Sequence, residues 1–93
     1  MIDTAGTITQ GAKALVEVGG AKAVYACCTH AVLSGPALKR LNESDIQKLY
    51  MLETITLSED KKSDKFEAIS VAEIFAQSIE CIFADKPLSR LYE

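Results

Sequence analysis

The sequence predicts an α/β fold in which a mostly parallel sheet is flanked by helices. Helical and strand patterns alternate in the order helix, strand, helix, strand, strand, helix, which is typical of such sheets. The strand candidates are continuously apolar, as in Ala-Val-Tyr-Ala-Cys-Cys at 23–28, and this indicates strands covered on both faces. A chain of 93 residues makes one domain at most.

The first helix is predicted from Thr7 to Val18, with Gly19 and Gly20 as its C-terminal stop. Its apolar residues recur with helical spacing on one face, at Ile8, Ala12, Leu15 and Val16.

The middle of the chain predicts a strand at 23–28, a short helix from Pro36 to about Asn42 and a second strand at 49–52. Proline suits the first position of a helix, and Ser34 is the expected cap. Tyr25 and Tyr50 lie within the apolar runs. We therefore expect both rings in the core, with hydrogen-bonded hydroxyls.

The last part of the chain predicts a strand at 66–69 and a helix that ends near Asp85. Ser70 and Glu73 have the spacing of a capping box. The helix is expected to turn an apolar face toward the core, formed by Val71, Ile74, Phe75, Ser78, Ile79 and Ile82.

The charge distribution argues against a nucleic-acid partner. The net charge is −3, and the dense charged run at 59–65 mixes both signs, whereas a nucleic-acid surface needs a one-sided basic patch. No apolar stretch approaches the roughly 18–20 residues that span a bilayer, and no basic-then-apolar leader opens the chain. We therefore expect a cytoplasmic protein without a membrane partner.

The cysteines Cys27, Cys28 and Cys81 are expected to be buried, inert thiols. Adjacent strand residues point to opposite faces, so the first two cannot easily share a metal. The single histidine, His30, has no partner histidine or CxxC motif. The sequence therefore predicts no metal site and no catalytic residue in this chain, and His30 is expected to be a rim histidine with satisfied hydrogen bonds.

The first helix opens with the composition of a phosphate-binding loop, at Asp3, Thr4, Ala5, Gly6 and Thr7. Amides at a helix N-terminus are free, and the helix dipole favours an anion there. Glycine permits close approach and unusual dihedral angles, and threonine hydroxyls add donors. Because ligands collect at the carboxyl ends of parallel strands, the loop and Thr29–His30 are expected at the same rim.

These residues resemble a known family. The segment 2–9 is similar to the second half of the phosphoribosyl-diphosphate loop of ribose-phosphate pyrophosphokinases, also called phosphoribosyl-diphosphate synthetases. The segments 24–30 and 32–37 are similar to that family's strand and turn after the loop, and 88–92 is similar to its C-terminal turn. The similarity spans nearly the whole chain, in order.

The resemblance implies that residues 1–93 form a single, partial C-terminal domain of the type I phosphoribosyltransferase-like fold, truncated at its N-terminal side. It implies an oligomeric enzyme of nucleotide biosynthesis that, with Mg²⁺, transfers the diphosphoryl group of ATP to ribose 5-phosphate. Carried over by position, the ribose 5-phosphate site would comprise Asp3, Thr4, Ala5, Gly6 and Thr7. The main Mg²⁺ ligands would lie outside this chain.

The sequence also departs from the family pattern. The two adjacent acids that normally precede the position of Met1 are absent, as are the nucleotide-binding half and the mobile basic loop. We therefore expect no synthetase activity from this chain alone. Pro87 stands where some members have a serine that helps Ser89 hold a regulatory phosphate. Proline has no hydroxyl and no N–H, so phosphate regulation through this turn is not expected.

Several interpretations stay open at this point. Asp3 either caps the first helix alone or also serves a ligand. Its charge would repel a phosphate dianion, so in the second case it turns toward ribose hydroxyls, a metal or an amide of its own loop. The chain as a whole has two alternatives, a non-catalytic regulatory or assembly relative, or a piece of a type I phosphoribosyltransferase acting on a base. A missing strand would expose a sheet edge and apolar surface, so if this piece folds we expect it to pair with another copy or to be held by a tag or a crystal neighbour.

Overall fold

The structure is a computed structural model that describes residues 1–92. Its elements are α1 (Gly6–Glu17), β1 (Val24–Cys28), α2 (Ala37–Asn42), β2 (Ile46–Leu52), β3 (Phe66–Ile69) and α3 (Ala72–Phe83), with 3₁₀ turns at Glu59–Lys61 and Leu88–Tyr92. Within the described residues the strands form one sheet in the order β1-β2-β3. Both strand pairs are parallel, which confirms the predicted α/β fold with a parallel sheet.

The strand β2 begins three residues earlier than its apolar run predicted. Val24 pairs with Ile46, whereas Tyr25 pairs with Lys48, so Gln47 is an extra residue that forms a β-bulge. The bulge turns Ile46 to the same side as Leu49, and both are buried. Alternation alone would have placed these two residues on opposite faces.

The core lies between one face of the sheet and the helices α1 and α2. Ten buried hydrophobic residues form it: Ile2, Ala5, Ala12, Ala31, Leu33, Ala37, Leu41, Ile46, Leu49 and Met51. Four of these belong to the loops at the carboxyl end of β1, where the segments 2–5 and 31–33 meet. The core therefore extends directly beneath the predicted phosphate loop.

The opposite face of the sheet is exposed in this chain. Tyr25 is 63% exposed, Tyr50 is 36% exposed and Ile69 is 49% exposed, and Cys27 on the same face is also exposed. The expectations of a core position for both tyrosines and of burial for Cys27 were therefore wrong. A continuously apolar strand indicates that both faces of its sheet are buried. The pattern does not indicate whether the residues that bury the two faces belong to the same chain.

The helix α3 packs chiefly against the 3₁₀ turn at Leu88–Tyr92. Its apolar residues Ile74, Phe75, Ile79 and Ile82 are 46–62% exposed, so the prediction that they face the core was wrong. The predicted capping box does not form, because the N-cap position of α3 is Val71, which has no side-chain cap hydrogen bond. Ser70 Oγ accepts a hydrogen bond from the Ala72 amide at 3.2 Å, while the Glu73 carboxylate accepts one from Gln77 Nε2 at 3.4 Å.

Candidate functional site

The loop at Asp3–Thr7, which the sequence predicts to bind phosphate, is anchored at the carboxyl end of β1. Ile2 forms a parallel bridge with Ala31, its amide donates to the His30 carbonyl at 3.0 Å, and its carbonyl accepts from Val32 N at 3.0 Å. The Ile2 side chain is buried. The loop therefore lies at the same rim as Thr29–His30, as the sequence predicted.

The turn into α1 is made by Ala5. Its φ is 67° and its ψ is 12°, a left-handed conformation that is unfavourable for a residue with a Cβ. Its methyl group is buried in the core, which holds the residue in place. The sequence had attributed the unusual backbone to Gly6, so the strained position lies one residue earlier than expected.

Three amides at the start of α1 precede the first helical hydrogen bond. That bond runs from Thr9 N to the Ala5 carbonyl at 3.2 Å, so the amides of Gly6, Thr7 and Ile8 have no carbonyl one turn earlier within the helix. The Thr9 hydroxyl is used internally, because it donates to the Ala5 carbonyl at 2.7 Å. This arrangement is suited to an anion with several acceptor oxygens.

A groove of about 710 Å³ lies over this loop and is lined by residues 1–8 and 27–29. It contains all five residues that the sequence singled out, from Asp3 to Thr7. Thr4 and Thr7 are exposed there, so their hydroxyls can reach a molecule in the groove. The loop and the carboxyl end of β1 therefore form one concave surface.

Asp3 does not cap α1, which has Ala5 at its N-cap position and no side-chain cap hydrogen bond. The Asp3 carboxylate instead accepts a hydrogen bond from the Ser34 hydroxyl. The Ser34 amide donates to the Asp3 carbonyl at 3.0 Å. The interpretation of Asp3 as a helix cap was therefore wrong, and so was the expectation that Ser34 caps α2.

Arg40 is a second neighbour of the loop that sequence patterns did not reveal. Its Nη1 donates to the Thr4 carbonyl at 3.1 Å. A Cβ built on Gly6 would lie 3.2 Å from the same nitrogen, so glycine leaves room for the guanidinium group. The value of Gly6 here is its small size rather than a special dihedral angle.

His30 connects the ends of two strands. Thr54 Oγ1 donates to the Thr29 carbonyl at 3.0 Å and lies 2.7 Å from His30 Nδ1. A hydroxyl has one hydrogen to donate, so His30 Nδ1 is the donor in the second bond. The imidazole therefore acts as a structural tie at the rim.

Side chains that could bind a metal are not clustered in the part of the chain that the structure describes. Residues 1–92 contain no group of three His, Cys, Asp or Glu side chains placed to hold a metal ion, and Asp3 is the one carboxylate of the loop. These residues therefore do not fit a complete Mg²⁺ site, which needs about six oxygen ligands. No helix within the same range is long and apolar enough to cross a membrane.

The chain is similar over its whole length to curated ribose-phosphate pyrophosphokinases. The ribose-phosphate pyrophosphokinases of Clostridium tetani and Clostridium perfringens are each 57% identical to it over 93 residues, which is the whole of this chain and 29% of each relative. The crystal structure of phosphoribosylpyrophosphate synthetase from Mycobacterium smegmatis superposes with a TM-score of 0.86 at 36% identity, covering 91% of this chain and 28% of that one.

The chain thus spans less than a third of the length of these relatives, and its fold is that of the type I phosphoribosyltransferase-like proteins. The sequence profile of the phosphoribosyl synthetase-associated domain matches residues 1–93. The chain therefore belongs to the phosphoribosyl synthetase-associated domain family.

Proposed function

We propose that this chain forms the ribose 5-phosphate-binding part of an enzyme that makes 5-phosphoribosyl 1-diphosphate from ATP and ribose 5-phosphate. The observation that carries the proposal is the set of amides at Gly6, Thr7 and Ile8, which precede the first helical hydrogen bond and border an open groove. The names of the relatives, ribose-phosphate pyrophosphokinase, support the reaction.

In this proposal the two ends of the sugar phosphate meet different groups. The phosphate lies against the helix amides and the hydroxyls of Thr4 and Thr7, where the helix dipole favours negative charge. Asp3 is directed to the ribose hydroxyls, because a carboxylate accepts their hydrogen bonds and would repel the phosphate. Charge repulsion thereby sets the direction in which the sugar binds.

The transfer step itself requires groups beyond these residues. Mg²⁺ would neutralise charge on the transferred diphosphoryl group. We propose that its main ligands, the ATP-binding residues and the basic groups come from other parts of the enzyme. The isolated chain would then bind ribose 5-phosphate without making product. We propose the cytoplasm as the location of the enzyme.

A second candidate is a regulatory or assembly role without catalysis. It is favoured by the exposed sheet face around Tyr25 and Tyr50 and by the exposed apolar side of α3, since contiguous apolar surface commonly marks an interaction site. Either candidate function is compatible with a homo-oligomer, and the same exposed apolar surfaces support such an assembly.

The binding proposal is tested by titrating the ¹⁵N-labelled chain with ribose 5-phosphate. We expect the largest amide shifts at Gly6, Thr7 and Ile8. Thr7→Ala should weaken binding roughly tenfold, since a hydrogen bond to a charged group contributes about 1.5–3 kcal/mol. Thr56→Ala makes the same change at another exposed rim position and should bind as the unaltered chain does. Shifts confined to a different surface would refute the assignment.

The expected lack of activity has its own assay. The chain is incubated with ATP, Mg²⁺ and ribose 5-phosphate, and 5-phosphoribosyl 1-diphosphate is measured against the intact Clostridium tetani relative. Product formed by the chain alone would show that its residues suffice for diphosphoryl transfer.

A further inference from the structure

The connection between β1 and α2 contacts the phosphate loop through Ser34. The Ser34 amide donates to the Asp3 carbonyl at 3.0 Å, and its hydroxyl donates to Asp3 Oδ1. The flanking Leu33 has a φ of 51° while its side chain is fully buried. A strained residue held by a buried side chain fixes the position of the turn, so Ser34 is held firmly beside Asp3.

The helix α2 contacts the same loop through Arg40. Its neighbour Leu41 is buried in the core, which fixes the helix, while Arg40 itself is exposed and donates to the Thr4 carbonyl at 3.1 Å. The Thr4 carbonyl is thus held directly before the strained turn at Ala5. Two consecutive loop residues are therefore each held by a side chain more than thirty positions away, 31 for Ser34 and 36 for Arg40.

We propose that Ser34 and Arg40 are positioning residues for the ribose 5-phosphate site, with separate tasks. Ser34 occupies Asp3 Oδ1 and so orients the carboxylate, which leaves the second oxygen for the ribose hydroxyls. Arg40 holds the Thr4 carbonyl and so aligns the following amides for the phosphate. This inference rests on the proposed function, since both residues act through groups that the proposal assigns to the sugar phosphate.

The two tasks predict different effects on two ligands. Ser34→Ala should weaken binding of ribose 5-phosphate about fivefold to tenfold, because a hydrogen bond that orients a charged group is lost. Binding of inorganic phosphate, which has no ribose, should change less than about twofold. Arg40→Met should weaken both ligands by about the same factor, because the amide cradle that both use is disturbed.

The experiment measures both ligands by ¹⁵N amide titration of the 93-residue chain. Ser34→Thr keeps the hydroxyl and should restore ribose 5-phosphate binding, and Ser34→Cys replaces Ser34→Ala if the alanine variant does not fold. In an Asp3→Ala background, Ser34→Ala should have no further effect, because a residue that acts through Asp3 has nothing left to orient. Lys39→Met removes a charge from the same helix and is the matched control for Arg40→Met.

The outcomes separate this inference from the proposed function. If the unaltered chain binds neither ligand at the loop, the proposed function fails and the inference with it. If the chain binds ribose 5-phosphate but Ser34→Ala weakens both ligands equally, or acts undiminished without Asp3, the inference alone fails. If Lys39→Met and Arg40→Met weaken ligand binding equally, Arg40 acts only through its positive charge, and its assigned task of holding the Thr4 carbonyl is wrong.

Discussion

The helices α1 and α3 are both twelve residues long and amphipathic, yet their surroundings differ. In α1, Ala12 is buried and Ile8 is packed against the core. In α3 no residue is buried, and Phe75 and Ile82 are more than half exposed. An apolar helix face thus predicts that something covers it, but the pattern does not say whether the cover belongs to the same chain.

The sheet repeats this comparison in its two faces. The face with Leu49 and Met51 is buried beneath α1 and α2, whereas the face with Tyr25 and Tyr50 is exposed. All ten core residues among those described lie between positions 2 and 51. The packed region therefore includes the loop at Asp3–Thr7, whereas the described residues leave the second sheet face and the apolar side of α3 largely exposed.

The largest expected effect comes from truncating matched apolar side chains in the two regions. Leu49 is 0% exposed, so Leu49→Ala should lower the free energy of unfolding by about 2–5 kcal/mol. Ile79 is 56% exposed, so Ile79→Ala in α3 should cost less than about 1 kcal/mol. Urea denaturation followed by circular dichroism measures both. Equal losses would mean that the α3 face is covered in solution, by a second copy for example.

The next effect concerns Lys65, the residue just before β3. Lys65 Nζ donates to the carbonyl of Leu41, in the last turn of α2, and to that of Ser44, two residues beyond the helix, both at 3.1 Å. It thereby places a positive charge at the C-terminal end of α2. Lys65→Met keeps the apolar part of the side chain but removes the ammonium group that donates to these carbonyls. The free energy of unfolding should therefore fall by about 1–3 kcal/mol.

Lys62→Met is the matched control for that change. Lys62 pairs with Glu59 at 2.7 Å in an exposed turn, and such surface pairs contribute about 0–1 kcal/mol. The same urea measurement compares the two variants. If Lys62→Met lowers the free energy of unfolding as much as Lys65→Met does, the hydrogen bonds from Lys65 to the end of α2 do not stabilise the packed region.

The parts that sequence could predict are those with local signals. The element order follows from hydrophobic patterns, and the loop at Asp3–Thr7 follows from a glycine, two hydroxyls and a helix start within five positions. That these residues bind a ligand remains a prediction. The bonds from Ser34 and Arg40 have no local signal, because the partners come together only through the turn after β1 and the placement of α2.

Two further differences have a physical cause that patterns do not record. Ala5 adopts the left-handed turn because the buried methyl group and the bridge at Ile2 determine the path of the loop, and this overrides the preference for glycine. The bulge at Gln47 changes which residues of β2 face the core. Both effects arise from tertiary packing rather than from the residues themselves.

The smallest expected effect compares the two sheet faces through adjacent thiols. Cys27 is exposed on the open face, and Cys28 is half-buried on the other. Burial raises the pKa of the Cys28 thiol above its ordinary value. At a given pH a smaller fraction of Cys28 is therefore present as the reactive thiolate than for an ordinary cysteine. Labelling with a disulfide reagent, followed by peptide mapping, should modify Cys27 severalfold faster, and Cys28 should need a higher pH. If Cys27 instead reacts slowly and its reaction becomes faster on dilution, association of chains covers the open face. The two sheet faces would then differ in exposure only in the isolated chain.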